Sequence, residues 1–291
     1  MLIGLLRLLA RLPLAWIHGA GSAVGWITYL ASPTYSARLR ENLLRSRLWR
    51  DEAEFERLLK LNVAASGKGA FELVPVWFLP KDKAAALVVS DTSLPLIEQV
   101  AARGRGIIYL TPHLGCPDMA AICVSRHRPL TVLYRPPKVK ALQPLIEAGR
   151  RSDRVSLAPT SIQGVRLLLK ALKRGDSIGI LPDQAPSMGE GAWADFFGRP
   201  AYTMTLVGRL VESTGAAVIM TFARRLPHGA GYAFEAEEVT GDLRGPEGVR
   251  ALNAAVERMV ARSPEQYLWA YNRYKVPAGA PPPDAGGKAA P

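Results

Sequence analysis

His113 is the residue of this sequence best suited to acid–base chemistry. It lies in the segment TPHLGCPD at 111–118, and Asp118 follows it at a spacing of five. A histidine imidazole has an unperturbed pKa of about 6.5, so it can accept a proton near neutral pH. The turn between the two residues can bring the carboxylate back onto the imidazole, fixing its tautomer and stabilising the imidazolium. We therefore predict that His113 and Asp118 form a catalytic pair.

The same segment allows three other interpretations. A histidine at a strand end can simply bond a backbone carbonyl, with Asp118 favoured by the dipole of the following helix. Cys116 can act as a nucleophile beside a histidine, but it lies only three residues from His113 on one turn. Two further residues, Cys123 and His127, complete a set of four potential zinc ligands, but no C-x2-C or H-x3-H pair is present. We expect an incidental thiol and neither a metal nor another cofactor.

Alternating strands and helices are predicted around these residues. Short apolar runs between turn residues predict strands, and amphipathic segments predict helices. The predicted strands are 106–110 (GIIYL), 130–134 (LTVLY), 155–158, 177–181 (SIGIL), 217–222 and 232–238. The predicted helices are one or two within 51–79, then 94–103, 117–127, 138–151, one between the Thr160–Ser161 cap and Gly175, 202–214 and 246–262. This pattern predicts an α/β fold, a mixed central sheet flanked by helices.

Polar residues follow three of the predicted strands. Sites in open α/β sheets form beyond the carboxyl ends of strands, and here those ends carry His113, Arg135 and the pair Asp183–Gln184. A guanidinium suits a phosphate or a developing oxyanion, and the Asp–Gln pair can orient a substrate. The aromatic turn FFGRP at 196–200 can line an acyl groove. Each of these features also has a purely structural interpretation. Arg135 can be a surface arginine, Asp183 and Gln184 can cap a helix or form a turn, and the aromatic turn can fill the core. The predicted substrate-binding residues are Arg135, Asp183, Gln184 and Arg199.

The composition and the absence of several motifs exclude some classes of protein. The 291 residues include 37 Lys and Arg and 25 Asp and Glu, a formal net charge of +12, which indicates an anionic partner. No basic stripe with interleaved aromatic residues is evident, so we expect no nucleic-acid binding. Neither a G-x-S-x-G elbow nor a phosphate-binding glycine loop occurs, which disfavours an α/β-hydrolase and a nucleotide-binding protein. Two cysteines exclude a disulfide framework.

The N-terminal segment is strongly apolar. Residues 12–37 contain no Asp, Glu, Lys or Arg, and a helix needs roughly 20 mainly apolar residues to cross a bilayer. We predict an N-terminal hydrophobic membrane-anchor helix; a signal peptide, a buried core helix and an interfacial helix are alternatives. Arginines are more numerous after this run than before it, which places the main domain in the cytoplasm. The predicted division is an anchor at 1–37, a catalytic domain at 38–275 and a disordered tail at 276–291.

The order of motifs resembles the lipid A biosynthesis acyltransferases, within the lysophospholipid acyltransferase superfamily. The shared features are RENLLRS at 40–46, the H-x4-D spacing at 113–118, LPDQAPSMGEG at 181–191, FFGRPAYTMT at 196–205 and PEQYLWAYNRYK at 264–275. Lipid A acyltransferases mostly carry Glu where this chain has Asp118, whereas Asp is usual in the glycerolipid branch. The resemblance therefore leaves the subfamily open.

The resemblance implies acyl transfer without a cofactor or a covalent enzyme intermediate. His113 would take the proton from an acceptor hydroxyl, which attacks the thioester of a fatty acid bound to acyl carrier protein. Asp118 would orient His113, and Arg135 or backbone N–H groups would stabilise the oxyanion. The implied partners are the carrier protein, an anionic lipid A precursor and the membrane, with the catalytic domain on the cytoplasmic face of the bacterial inner membrane. Another lipid acceptor, or a lipid-binding protein without activity, is the alternative.

Overall fold

A mostly parallel sheet organises the chain. The computed structural model describes residues 2–137, 139–140 and 143–283. Its strands are β1 Val88–Asp91, β2 Ile107–Leu110, β3 Leu130–Tyr134, β4 Val155–Pro159, β5 Ser177–Ile180, β6 Gly191–Phe196, β7 Arg199–Met204, β8 Ala217–Arg225 and β9 Tyr232–Glu238. Seven of them form one sheet in the order β1-β9-β8-β2-β5-β3-β4, in which only the β8–β9 pairing is antiparallel. The prediction of a mixed central sheet is confirmed.

Helices cover both faces of this sheet. They are α1 Leu2–Leu9, α2 Leu14–Ala31, α3 Pro33–Ser46, α4 Glu52–Phe71, α5 Leu73–Phe78, α6 Lys81–Ala85, α7 Leu94–Ala101, α8 Pro117–His127, α9 Gln143–Arg150, α10 Ile162–Lys173, α11 Leu206–Thr214 and α12 Gly245–Ala261. One buried cluster joins α4, α10 and α12 to one face through residues such as Leu168 and Leu252. A second joins α7 and α8 to the other face through Ile97 and Met119. Burial of these apolar stripes is what fixes each helix on the sheet.

The pairing of β2 with β5 brings together the two chain segments that follow these strands. The two strands are parallel neighbours, paired from Ile107 opposite Ser177 to Leu110 opposite Ile180. Their carboxyl ends therefore lie side by side, and the backbone amide of Thr111 donates to the carbonyl of Ile180 at 3.0 Å. The segments that follow β2 and β5 consequently begin at the same edge of the sheet.

The N-terminal apolar run forms helix α2, and a second short helix, α1, precedes it. In the described part of the chain, no single helix has the length and apolar character needed to cross a membrane; α1 and α2 together meet both criteria, but with a bend of 110° between them. One face of α2 packs against α4, where Gly21 and Gly25 approach Gly67. A Cβ atom on Gly25 would lie 2.4 Å from the carbonyl oxygen of Val63, so glycine is required for this approach. The opposite face of α2 exposes apolar residues, among them Trp16, Ile27 and Leu30.

The structure differs from the sequence-based prediction at the β6–β7 hairpin and at β1. Residues 191–204 form the antiparallel hairpin β6–β7, so the helix predicted at 202–214 begins only at Leu206. The short strand β1, which pairs in parallel with β9, was not predicted; it has only four residues, of which two are polar and three are exposed. Part of the predicted tail lies against the hairpin, where Trp193 Nε1 donates to the carbonyl of Pro281 at 2.9 Å. Residues 284–291 of that tail lie outside the described residues.

Candidate active site

His113 is held by Asp183 and Gln184, in the loop that follows β5. Its Nδ1 atom lies 2.9 Å from Oδ1 of Asp183, and its backbone amide donates to Oδ2 of the same carboxylate at 3.0 Å. Nε2 of the imidazole lies 3.1 Å from Nε2 of Gln184. The side chain of His113 is 26% exposed, whereas that of Asp183 is 3% exposed. A partly open imidazole therefore rests on a buried carboxylate.

The electrostatics of this pair favour an ionised Asp183. Burial alone would raise the pKa of this carboxyl, but the charge and the two hydrogen bonds of His113 outweigh that effect and leave the pKa below its usual value. An acceptor carboxylate at Nδ1 places the imidazole proton on that nitrogen, which leaves the lone pair on Nε2. The Gln184 amide can donate to this lone pair. In this arrangement Nε2 is the atom that can take a proton from a substrate.

Asp118 does not contact His113 through a hydrogen bond, which corrects the predicted pairing. Its carboxylate accepts two hydrogen bonds from Arg150, at 2.7 Å to Nε and 3.1 Å to Nη2, and a third from Trp77 Nε1 at 3.0 Å. The physical reason is that Pro117 and Asp118 begin helix α8, which directs the carboxylate toward α5 and α9. A role for Asp118 in catalysis stays a prediction, and its direct partner is Arg150.

The Asp118–Arg150 pair lies at the cavity wall. The Arg150 guanidinium stands 5.5 Å from the centre of the Trp77 ring, a distance typical of a cation–π contact. Burial alone would lower the pKa of Arg150, but Asp118 outweighs it and raises the pKa above its usual value. Sequence reasoning missed Arg150 and Trp77 as site residues. Their separations of 32 and 41 positions from Asp118 carry no local signal.

The backbone after His113 is anchored by β8 and by the C-terminal segment. The carbonyl of His113 accepts from the amide of Leu268 at 3.0 Å, and the amide of Gly115 donates to the carbonyl of Gln266 at 3.2 Å. Gly115 has φ +60°, and a Cβ atom there would lie 2.2 Å from the carbonyl oxygen of Ala223. Glycine is thus required in this turn. The PEQYLWAYNRYK segment therefore contributes to the site by fixing the backbone of His113.

A buried ionic network lies beneath the same turn. The Glu72 carboxylate accepts from Arg225 Nε at 2.7 Å and from the Tyr232 hydroxyl at 2.9 Å, and His18 Nε2 of α2 lies 3.4 Å away. Arg225 also donates to the carbonyl of Gly115. Burial alone would raise the pKa of Glu72, but Arg225 and His18 outweigh it and lower the pKa. This network connects the N-terminal helix to the turn that carries His113.

A cavity of about 760 Å³ opens beside His113. Its walls are mainly apolar and come from both helices and strands, with Tyr109, Val132, Leu169 and Leu210 among them. This combination of an apolar volume and a few polar groups is typical of sites for small molecules and acyl chains. The polar side chains along its walls include those of His113, Asp118, Arg135, Arg150, Arg166, Gln184 and Arg209.

The predicted substrate-binding residues separate into two groups. Arg135 and Gln184 line the cavity, and Asp183 lies buried behind His113. Arg199 does not line it. Its guanidinium stands 3.7 Å from the centre of the Tyr274 ring and donates to Asn42 Oδ1 at 3.3 Å, which ties the β6–β7 hairpin to α3. The structure therefore places Arg199 in a packing contact, away from the other predicted residues.

The two thiols are buried and unsuited to nucleophilic chemistry. Burial raises the pKa of Cys116 well above its usual value and that of Cys123 to about 12, so both stay protonated at neutral pH. Among the residues that the structure describes, no three His, Cys, Asp or Glu side chains converge as metal ligands.

Comparison with protein families decides the identity. The family model of the bacterial lipid A biosynthesis acyltransferases matches residues 1–276. The chain belongs to this family. The acyltransferase is 27% identical over 285 residues to a lipid A biosynthesis lauroyltransferase of Escherichia coli (strain K12), an alignment that covers 96% of this chain and 92% of the relative. It is 25% identical to a lipid A biosynthesis palmitoleoyltransferase of the same strain, covering 94% of this chain and 89% of the relative.

Family membership confirms two predictions for this acyltransferase. The resemblance that the motif order indicated is correct, and the chain is an acyltransferase. A lipid A biosynthesis myristoyltransferase of Escherichia coli (strain K12) is also similar, at 23% identity over 187 residues, 60% of this chain and 55% of the relative. The relatives thus carry names with different acyl chains.

Proposed function

We propose that this acyltransferase moves a fatty acyl chain from an acyl-carrier-protein thioester to a hydroxyl of a lipid A precursor, with His113 as general base. The observation that carries the proposal is a partly exposed imidazole, held through Nδ1 on buried Asp183, at the wall of a largely apolar cavity. An acyl chain fits the apolar walls, and the reacting hydroxyl fits the polar edge. Family membership and the names of the relatives support the same substrate class.

The reaction follows from the protonation state of the dyad. Nε2 of His113 takes the proton of the acceptor hydroxyl as its oxygen forms a bond to the thioester carbon. Asp183 stabilises the imidazolium, and the negative charge passes to the carbonyl oxygen of the tetrahedral intermediate. The C–S bond then breaks, and the imidazolium returns its proton to the leaving thiolate. Gln184 holds the resting imidazole until the acceptor hydroxyl replaces it at Nε2.

Two arginines supply positive charge to this reaction. Arg135 and Arg150 line the cavity, and Asp118 fixes the guanidinium of Arg150 by two hydrogen bonds. We assign Arg135 to the phosphate of the acceptor or to the oxyanion, because a guanidinium suits both. Arg199 lies outside the cavity lining and is assigned a packing role.

A membrane-associated location accompanies the proposal. The exposed faces of α1 and α2 carry large apolar side chains, including Leu8, Trp16, Ile27 and Leu30. We propose that this surface rests in the bacterial inner membrane, with the catalytic domain on the cytoplasmic face, where an amphiphilic acceptor can reach the cavity. The arginines of α3 then lie near anionic headgroups.

Mass spectrometry of lipid A tests the proposal. A strain without the gene should lack one acyl chain, and wild-type protein should restore it. Because a general base contributes about 10²–10⁴-fold, the His113→Ala variant should not restore it. His228→Asn is the matched control, since His228 is exposed on a turn with φ +55° that asparagine tolerates. Unchanged lipid A in the deletion strain would rule out this acceptor, and near wild-type transfer by purified His113→Ala protein would rule out His113 as the base.

A further inference from the structure

The exposed side of α10 carries a basic stripe. Ile162, Arg166, Lys170 and Lys173 follow one another at spacings of four, four and three, so they share one face of the helix. All four are exposed, Ile162 to 75%. The sequence of α10 (IQGVRLLLKALK) contains no acidic residue. In the described part of the chain none of the three cations has a carboxylate partner, whereas the neighbouring Arg174 pairs with Asp176 at 2.7 Å.

The adjacent side of α10 lines the catalytic cavity. Val165 and Leu169 contribute to its apolar wall, and Arg166 contributes at its edge. Across the cavity, α11 presents Arg209, which is also exposed. The cavity that contains His113 is therefore bordered on its α10–α11 side by positive charge.

We propose that the α10 basic stripe is the docking surface for the acidic acyl carrier protein that delivers the thioester. This inference rests on the proposed function, because it assumes that the acyl group arrives on a protein. The carrier must stay outside while its thioester arm enters the cavity, so its docking surface has to border the cavity and be basic. Ile162 to Lys173 spans about 17 Å of helix, three turns along which an acidic surface can pair. Ile162 supplies an apolar contact inside a charged rim.

The composition of the stripe favours a protein over a lipid surface. Membrane-surface helices bury a continuous apolar face in the interface. On α10 the apolar residues Val165, Leu168 and Leu169 point to the cavity or the core. Ile162 and Leu167 are exposed, but they stand five residues apart, about 140° around the helix, and form no continuous apolar face. Charge complementarity with an acidic partner gives fast, salt-sensitive association without such a face.

The test compares two acyl donors with full-length enzyme. Lys170→Glu/Lys173→Glu, which leaves the cavity lining intact, should raise KM for the acylated carrier protein at least about tenfold at low salt. The KM for the same acyl group on free pantetheine should stay within about twofold, because that donor needs no docking surface. The affinity for labelled carrier protein, measured by fluorescence anisotropy, should fall in parallel, and salt should reduce it in the wild type. Lys60→Glu/Lys83→Glu has the same change of charge at exposed positions and should behave as wild type.

The outcomes are separable. Unchanged carrier affinity in the stripe variant, or an equal rise of KM for both donors, overturns the docking surface while leaving the reaction intact. Loss of binding to anionic vesicles with unchanged carrier affinity makes the stripe a lipid contact and also overturns it. Carrier binding that depends on the stripe, in a protein that transfers no acyl group from either donor, supports the docking surface and refutes the proposed reaction.

Discussion

Asp183 contacts His113 at two points, through Oδ1 at the imidazole Nδ1 and through Oδ2 at the backbone amide, at 2.9 and 3.0 Å. One buried carboxylate thus fixes both the ring and the main chain of the same residue. The turn that follows is held separately by Gln266 and Leu268. The imidazole therefore has little freedom to rotate, which is the condition for efficient proton transfer at Nε2.

Replacing Asp183 by asparagine should lower kcat strongly. An amide can present a donor to Nδ1, which places the imidazole proton on Nε2 and removes the base. We expect kcat to fall by about 10²–10⁴-fold with little change in KM. Steady-state kinetics check this, and circular dichroism checks folding. In combination with His113→Ala, Asp183→Asn should add almost nothing; a full additional loss would mean that Asp183 acts independently of His113.

Replacing Asp118 by alanine should lower activity as much as replacing Arg150 by alanine. Because the Asp118 carboxylate binds Arg150 by two hydrogen bonds, Asp118→Ala, Arg150→Ala and the double variant should share nearly the same kcat/KM. Asp118→Glu keeps the charge and should recover most of the activity. The fold reductions of kcat/KM caused by Asp118→Ala and Asp183→Asn should instead multiply in the double variant, since the two residues make separate contacts. A strong coupling energy between Asp118 and His113, without one between Asp118 and Arg150, would contradict this assignment.

The local sequence pattern predicted most helices and strands of this fold, but it did not predict which strands lie next to each other in the sheet. Apolar runs such as LTVLY at 130–134 become strands because they pair and bury side chains wherever they stand in the sheet. The contact of Asp183 with His113, 70 residues away, depends on β5 lying next to β2, and strand order has no signature in one sequence. The predicted contact between Asp118 and His113 does not form, because α8 begins at Pro117 and turns the carboxylate toward Arg150, which the spacing does not show. The apolar run at 12–31 predicted a helix and forms α2, whereas the bend that separates α2 from α1 has no signature in hydropathy.

Neutralising Glu72 should destabilise the protein. Glu72→Gln leaves buried Arg225 without its carboxylate, and breaking a buried pair in this way costs about 3–5 kcal/mol of unfolding free energy. The pKa of Glu72 is lowered in the folded state, so its contribution is complete above the pKa of the unfolded chain and is lost as pH falls through the folded-state pKa. Urea unfolding at a series of pH values should show the difference between wild type and Glu72→Gln shrinking at acid pH.

Glu56→Gln is the control for this measurement. Glu56 pairs with Arg40 at the surface, where such pairs contribute about 0–1 kcal/mol. A Glu72→Gln protein as stable as Glu56→Gln would show that the network does not stabilise the fold.

Enlarging Gly179 should shorten the preferred acyl chain. Gly179 lies on β5 beside Tyr109 of β2 and lines the cavity. An added Cβ atom would meet Val132 Cγ2 at 3.5 Å and Leu130 Cδ1 at 3.7 Å, which are ordinary contacts, so the backbone tolerates a side chain there. Gly179→Ala should therefore change little, whereas Gly179→Val projects methyl groups into the cavity. We expect the ratio of kcat/KM for a long to a short acyl donor to fall by about tenfold or more in Gly179→Val. Competition between two thioesters, read by mass spectrometry of the product, measures this ratio, and an unchanged ratio would show that the acyl chain does not pass Gly179.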